Sequence, residues 1–184
     1  MGMDKQQLVD YFARVDQQLT QPAELLIYGS AAFILLDEEN RTSLDLDVAG
    51  PYSKLDFDEF CQASRLAGLE VNPIDPGAPE HVEWISGARL CLAAPHTTET
   101  ITLWQGRHLV VKTVGSADLV ASKLIRYDPI DQGDVRYLVH QSRMTHDDVV
   151  KAVERLPAGF RQDALVRENL GNLAMDMKSW TKEA

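Results

Sequence analysis

Two carboxylates two residues apart on a strand constrain this chain more than any other feature of its sequence. Polar and apolar side chains alternate from Ser43 to Val48, which is the period-2 pattern of a half-buried strand. The predicted buried face consists of Leu44, Leu46 and Val48. Asp45 and Asp47 then project together from the opposite face, where they repel each other unless they share a cation. Ligation by oxygen alone suits Mg²⁺ or Mn²⁺, with phosphate oxygens and water completing the shell.

A tight turn upstream of this strand adds a second element. Residues 24–28 form a short apolar run of strand length, which stops at Gly29-Ser30 before a run rich in helix formers. The order of strand, turn and helix places backbone N–H groups and a hydroxyl where phosphate oxygens can bind. Each motif alone is a weak sign of a functional site, because Asp-x-Asp also occurs on solvated strand faces and Gly-Ser is also an ordinary turn. The two motifs in this order are a more specific sign than either one.

The rest of the chain alternates helical and strand-like patterns. Amphipathic spacing predicts a first helix over residues 3–19, and an N-cap serine at Ser53 with Gly68 at the far end predicts another over 53–67. In the latter, the side chains expected to face the sheet are Phe57, Phe60 and Leu66. Further strands are predicted at 82–85, 89–93, 100–104 and 108–114, with a hairpin turn at Gln105-Gly106. Further helices are predicted at 116–126, 132–140, 145–156 and 160–180.

The Gly29-Ser30 turn and the strand with Asp45 and Asp47 together resemble a known superfamily. The strand, Gly29-Ser30 and the helix are followed by the run Arg41-Thr42-Ser43-Leu44-Asp45-Leu46-Asp47-Val48. This order resembles the DNA polymerase beta-type nucleotidyltransferases. The 16-residue step from Gly29 to Asp45 is most similar to the AbiEii-like toxin nucleotidyltransferases and their uncharacterised bacterial relatives. A second block, residues 116–126 followed by Asp131 and Asp134, is similar to that group's Lys-Leu…Arg…Asp-x-x-Asp helix pair.

The resemblance implies a fold and a set of roles. The fold is of the α/β (α+β) nucleotidyltransferase type, a small mixed sheet flanked by helices, with residues 1–115 as the core and 116–184 as a C-terminal helical portion packed on it as a single structural unit. The implied catalytic residues are Asp45, Asp47, Lys123 and Asp131, with Asp45 and Asp47 as the metal ligands. The implied nucleotide contacts come from Gly29, Ser30, Arg41, Ser43 and Arg126.

Several alternatives stand beside these roles. Lys123 and Arg126 are three residues apart on a helix and could be solvated, and Asp131 with Asp134 could serve only the dipole of the next helix. Many members of the superfamily carry a third acidic residue on a later strand. The candidates for it in this chain are Glu83 and Glu99, and it could also be absent.

The expected activity is transfer of a nucleoside monophosphate from an NTP to an acceptor, with release of pyrophosphate. The acceptor could be an RNA, such as a tRNA end, or a protein hydroxyl, and the setting a toxin-antitoxin or phage-defence system with a cognate antitoxin or toxin as partner. A catalytically inactive module that binds a nucleotide or a partner protein is the alternative. The resemblance leaves the base preference open.

Charge and composition limit the partners. A formal charge of −10 argues against nonspecific wrapping of nucleic acid, so an RNA acceptor would need a local basic patch. The residues available for one are Arg89, Arg107, Lys112, Lys123, Arg126 and Arg136. The two cysteines, Cys61 and Cys91, lack a paired spacing, which favours reduced thiols in a cytoplasmic protein. No apolar run approaches the length of a membrane span, and the five histidines lack the spacing of a zinc site.

Overall fold

The computed structural model describes residues 2–38, 41–75 and 79–183. The chain forms two compact units. The first comprises Met1–Gly87 with Thr97–Thr113, and the second comprises Ala88–His96 with Val114–Ala184. Residues 88–96 thus group with the C-terminal helices. None of the helices in the described ranges combines the length and the apolar character needed to cross a bilayer.

The first unit is built on a five-stranded mixed sheet. Its strands are β1 (Ala23–Tyr28), β2 (Asp45–Ala49), β3 (His81–Ile85), β4 (Ile101–Gln105) and β5 (Leu109–Thr113). They lie in the order β3-β2-β1-β5-β4. β1 pairs with β5 and β2 with β3 in parallel, whereas the β1–β2 and β4–β5 pairs are antiparallel. A mixed sheet with flanking helices and a helical C-terminal part confirms the predicted fold class.

In the described part of the first unit, the α-helices are α1 (Lys5–Gln18), α2 (Gly29–Leu35) and α3 (Phe57–Leu66). α1 begins at Asp4, whose side chain accepts from the backbone N–H of Gln7 in a reciprocal capping box. The face it buries carries Leu8, Tyr11, Phe12 and Val15, so the amphipathic spacing of residues 3–19 predicted this helix correctly.

The predicted start of α3 was wrong. Its N-cap is Asp56, which accepts from the backbone N–H of Glu59. The hydroxyl of Ser53 is already committed, because it accepts from Leu26 N–H and donates to Ala49 O. The Ser53 side chain therefore braces β1 and the end of β2 instead of capping α3.

One of the three α3 side chains expected to face the sheet, Leu66, does not. Phe60 is fully buried, but Leu66 is 65% exposed and Phe57 is also exposed. Six residues turn a helix by 600°, so Leu66 lies about 240° round the axis from Phe60. Phe57, although 44% exposed, packs edge-on against Trp84 of β3, with ring centroids 4.8 Å apart.

Two strand predictions also need correction. β2 begins at Asp45, and the preceding Leu44 is 58% exposed, whereas Leu46 and Val48 are fully buried. Residues 89–93 form no strand; a 3₁₀ turn ends at Arg89, and the buried residues after it are consecutive. A run of consecutive buried residues can be an irregular segment packed in the core, so it does not by itself indicate a β-strand.

The α-helices in the described residues of the second unit are α4 (Ser116–Lys123), α5 (Pro129–Ser142), α6 (His146–Arg155), α7 (Ala158–Arg161) and α8 (Ala164–Glu183). α6 starts with a capping box, in which the Thr145 hydroxyl accepts from the Asp148 N–H. An ion pair joins α4 and α6, since the Arg155 guanidinium donates to the buried carboxylate of Asp118 at 2.8 Å.

Candidate functional site

The turn at Gly29 lies directly against the Asp47 carboxylate. Gly29 has φ +66°, a left-handed conformation that side chains disfavour. A Cβ at this position would lie 2.0 Å from Oδ2 of Asp47. The antiparallel pairing of Tyr28 with Asp47 brings the end of β1 to this place. Glycine therefore allows both the turn and the close approach of the carboxylate.

Polar side chains of β2 and β3 share one face of the sheet. In the parallel pairing, Asp45 is in register with His81, and Asp47 with Glu83, so all four project to the same side. Nδ1 of His81 lies 3.4 Å from Oδ1 of Asp45, and Nε2 lies 3.8 Å from Oε1 of Glu83. We call Asp45, Asp47, His81 and Glu83 the acidic face.

The two candidates for a third carboxylate have different surroundings. Glu83 is beside Asp47 on the adjacent strand. Glu99 lies in an exposed turn at residues 97–99, ahead of β4, and β4 is at the opposite edge of the sheet from β3. The strand pairing therefore places Glu83, and not Glu99, next to the Asp pair.

Arg41 contacts the Gly29-Ser30 turn, whereas the contact made by the Ser43 hydroxyl is with β2. The Arg41 guanidinium donates to the Ser30 hydroxyl at 3.3 Å, and its Nε lies 3.9 Å from a carboxylate oxygen of Glu38. The Ser43 hydroxyl donates to the backbone carbonyl of Asp45 at 2.8 Å. Arg41 thus links to the Gly29-Ser30 turn, while Ser43 braces the beginning of β2.

In the second unit, four charged side chains form what we call the buried ion cluster: Lys123, Arg126, Asp131 and Asp134. The Lys123 ammonium lies 2.9 Å from Asp131 and 2.8 Å from Asp134. Arg126 donates two hydrogen bonds of 2.8 Å to Asp131. Although burial opposes ionisation of Asp131, Arg126 and Lys123 hold the pKa of its carboxyl below its ordinary value.

The exposure of these side chains shows which of them are solvated and which are buried. The Lys123 side chain is only 7% exposed, so the alternative prediction that it is solvated is wrong. The Arg126 side chain, in contrast, is 62% exposed. The cap of α5 is Asp128, which accepts from Ile130 and Asp131 N–H groups. Asp131 itself is buried and ion-paired, so its position is not explained by the helix dipole alone.

Comparison with known proteins identifies the family. The sequence profile of a family described as "Nucleotidyltransferase of unknown function (DUF6036)" matches residues 6–151. The chain belongs to this nucleotidyltransferase family. No curated protein and no solved structure matches the chain significantly. The resemblance to the nucleotidyltransferases is thereby confirmed, and the AbiEii-like subgroup stays a prediction.

This nucleotidyltransferase offers oxygen donors for a divalent metal that shares its shell with substrate. Among the described residues, no three His, Cys, Asp or Glu side chains are arranged to hold a metal ion by themselves. Mg²⁺ usually takes one or two carboxylates plus substrate phosphates rather than a complete protein cage. Asp45 and Asp47 on one face of β2, with Asp47 against the Gly29 turn, fit that mode of binding.

His81 is the member of the acidic face that the sequence interpretation missed. Its signal was present, since His81 and Glu83 alternate with Val82 and Trp84 as Asp45 and Asp47 do with their neighbours. Without the strand pairing, however, nothing in the sequence places residue 81 beside residue 45.

Proposed function

We propose that this nucleotidyltransferase transfers a nucleoside monophosphate from an NTP to an acceptor hydroxyl, with release of pyrophosphate and dependence on Mg²⁺ or Mn²⁺. The observation that carries the proposal is the contact between the Gly29 turn and the Asp47 carboxylate. A phosphate chain held at the turn would lie beside a carboxylate that can share a cation with it. Family membership supports the transferase activity itself.

Each residue of the first unit has a proposed role. Asp45 and Asp47 hold the metal together with phosphate oxygens of the substrate, and Glu83, beside Asp47, is the candidate for the third carboxylate. The metal, when bound, neutralises charge on the triphosphate and activates the attacking hydroxyl. Backbone N–H groups of the Gly29-Ser30 turn and the Ser30 hydroxyl bind phosphate oxygens.

The remaining roles follow from the same proposal. Arg41, which donates to Ser30, orients that hydroxyl and balances phosphate charge. Ser43 acts by fixing the start of β2 through Asp45 O. The assignments of Lys123, Arg126 and Asp131 to catalysis and nucleotide binding stay predictions of the resemblance.

Charge balance favours a protein acceptor over RNA. Of the basic residues available for a nucleic-acid patch, Lys112 pairs with Glu24, and Lys123 and Arg126 both pair with Asp131. Their charges are balanced within the protein, and the chain as a whole carries −10. Three of the six candidate basic residues are thus balanced by a neighbouring carboxylate, which weakens the attraction for a polynucleotide. We infer modification of a protein hydroxyl, and extend this, through the AbiEii-like resemblance, to a toxin-antitoxin or phage-defence role.

Nucleotide titration tests the site. Calorimetric titrations of the four NTPs, with and without Mg²⁺, are compared for wild type and the Asp45→Ala, Asp47→Ala double variant. We expect Mg²⁺-dependent binding that the double variant loses. Glu83→Gln should weaken it, and Glu99→Gln is the matched control that should not. If folded wild type binds no NTP under any condition, the inactive partner-binding module becomes the better account.

Labelled NTP tests the acceptor. Purified protein is incubated with α-³²P-labelled NTPs, Mg²⁺ and a cell extract, and the product is treated with protease or ribonuclease. Protease-sensitive, ribonuclease-resistant label supports a protein acceptor. Ribonuclease-sensitive label would transfer the proposal to RNA, and the double variant sets the background for both.

A further inference from the structure

We infer that a cavity between α1 and the end of α2 takes the nucleoside part of the NTP, whose phosphates are proposed to lie at the Gly29-Ser30 turn. The inference rests on the proposed function and deepens it, because that function names a place for the metal and the phosphates but not for the sugar and the base. The size, the position and the lining of the cavity carry the inference.

The cavity has the size of a small-molecule site. Its volume is about 660 Å³, and ligand pockets usually measure about 300–1,000 Å³. The side chains that line it come from α1, from α2 and from the segment after α2, and they include Lys5, Gln6, Ile34, Glu38, Arg41 and Thr42. We call this space the α1–α2 cavity. It lies entirely within the first unit.

Two observations place the α1–α2 cavity beside the phosphate turn. Arg41, which lines the cavity, donates to the Ser30 hydroxyl at 3.3 Å. Ile34, which also lines it, follows Ser30 by four residues on α2. Residues four apart lie on the same face of a helix, about 6 Å apart along its axis. The cavity is therefore about one helical turn from the hydroxyl that is proposed to bind phosphate.

Ion pairs connect the walls of the α1–α2 cavity. Lys5, at the start of α1, pairs with Asp37, which follows α2, and both side chains line the cavity. A carboxylate oxygen of Glu38, whose side chain is 11% exposed, lies 3.9 Å from Nε of Arg41. Walls that are already connected lose less conformational freedom when a ligand binds. The cavity thus combines a partly ordered lining with a direct contact to the phosphate turn.

The lining suits a sugar and a base better than further phosphate. Three carboxylates, those of Asp4, Asp37 and Glu38, line the cavity with two cationic side chains, so additional phosphate groups are not favoured there. Carboxylates accept hydrogen bonds from hydroxyl and amino groups, and an acidic side chain binds the ribose hydroxyl in other nucleotide sites. The Gln6 amide and the Thr42 hydroxyl can both donate and accept. A nucleoside offers partners for each of these groups.

Two matched substitutions on α1 test the inference by calorimetry. Gln6 and Gln17 are both exposed; Gln6 lines the cavity, whereas Gln17 lies about three turns further along the helix. Gln6→Trp places an indole in the cavity and should raise the Kd for Mg²⁺-NTP about tenfold or more. Its Kd for Mg²⁺-tripolyphosphate, which carries the phosphates without a nucleoside, should stay within about twofold of wild type. Gln17→Trp should change neither Kd.

A second variant approaches the cavity from another segment of the chain. Thr42 is exposed and lies ahead of β2, and Thr42→Trp should weaken NTP binding as Gln6→Trp does. Urea denaturation shows whether each variant is folded.

Three results would overturn the inference. One is an NTP affinity that neither tryptophan changes, and another is an equal loss of NTP and tripolyphosphate binding, which would locate the damage at the phosphate turn. The third is unchanged NTP binding with loss of transfer, which would assign the cavity to the acceptor. In each case, Mg²⁺-dependent NTP binding that the Asp45→Ala, Asp47→Ala variant loses would leave the proposed function standing. If wild type binds no NTP, the proposed function and the inference fail together.

Discussion

The backbone of Gly29 lies against the carboxylate of Asp47, so closely that a Cβ on the glycine would be 2.0 Å from Oδ2. The contact connects the turn between β1 and α2 to the acidic strand β2. Gly87 has nearly the same φ as Gly29, but an added Cβ there would meet no other atom. Substitutions at the two glycines therefore separate the cost of backbone strain from the cost of disturbing the site.

Gly29→Ala should lose NTP binding as well as stability. A side chain at φ +66° costs about 1–2 kcal/mol, and the displaced Asp47 should raise the Kd for Mg²⁺-NTP about tenfold or more. Gly87, with φ +62° and no atom within 4 Å of an added Cβ, is the matched control. Gly87→Ala should show the stability loss in urea denaturation while calorimetry finds its NTP affinity intact. Equal affinities for the two variants would contradict the importance of the contact.

Lys123→Met should destabilise the protein strongly, whatever it does to activity. It leaves Asp131 and Asp134, both buried, to share the largely exposed Arg126, and breaking a buried pair costs about 3–5 kcal/mol. Arg126→Met should cost only about 1 kcal/mol because its side chain is largely exposed. Urea denaturation measures both.

A compensating variant separates charge from packing in the buried ion cluster. Lys123→Met, Asp134→Leu removes one positive and one negative charge together, so it should recover part of the stability lost in Lys123→Met. No recovery would indicate that the shape of Lys123, rather than its charge, is needed there.

Asp16 should make the first unit sensitive to acid. This carboxylate on α1 accepts from the backbone N–H groups of Arg107, His108 and Leu109 at 3.0, 2.7 and 2.7 Å. Although burial opposes ionisation, these bonds hold the pKa of Asp16 below its ordinary value. The stabilisation of the native state by ionised Asp16 is therefore complete above about pH 3.9, the pKa of the unfolded chain. It is lost as the pH falls through the lower pKa of the folded protein.

Asp16→Asn tests this dependence. An amide accepts with one oxygen where the carboxylate accepts with two, so at pH 7 we expect a loss of about 1–3 kcal/mol. The difference in unfolding free energy between wild type and variant should shrink as the pH is lowered below about 4. A difference that stays constant down to pH 2 would show that ionisation of Asp16 does not stabilise the native hairpin turn.

Leu46→Ala and Leu44→Ala test the register of β2. Leu46 is fully buried, and its truncation should cost about 2–5 kcal/mol. Leu44 is 58% exposed, so its truncation should change stability by no more than about 0.5 kcal/mol. Comparable losses at both positions, measured by chemical denaturation, would place Leu44 in the core and extend the strand toward residue 43.

The sequence by itself determined the local elements and their order. Period-2 alternation located β2 because successive strand side chains point to opposite faces, and Gly29-Ser30 located the turn because few residues tolerate positive φ. The capping box at Thr145 likewise depends only on neighbouring residues. Such patterns act over a few residues, so they can be recognised without a tertiary structure.

Only the tertiary structure decided which distant residues meet. Strand pairing placed His81 and Glu83 beside Asp45 and Asp47, and it left Glu99 in a turn. The commitment of Ser53 to β1 and β2 moved the start of α3 to Asp56. Burial of Lys123 between Asp131 and Asp134 has the same origin. These outcomes depend on contacts between segments far apart in the chain, for which local periodicity carries no information.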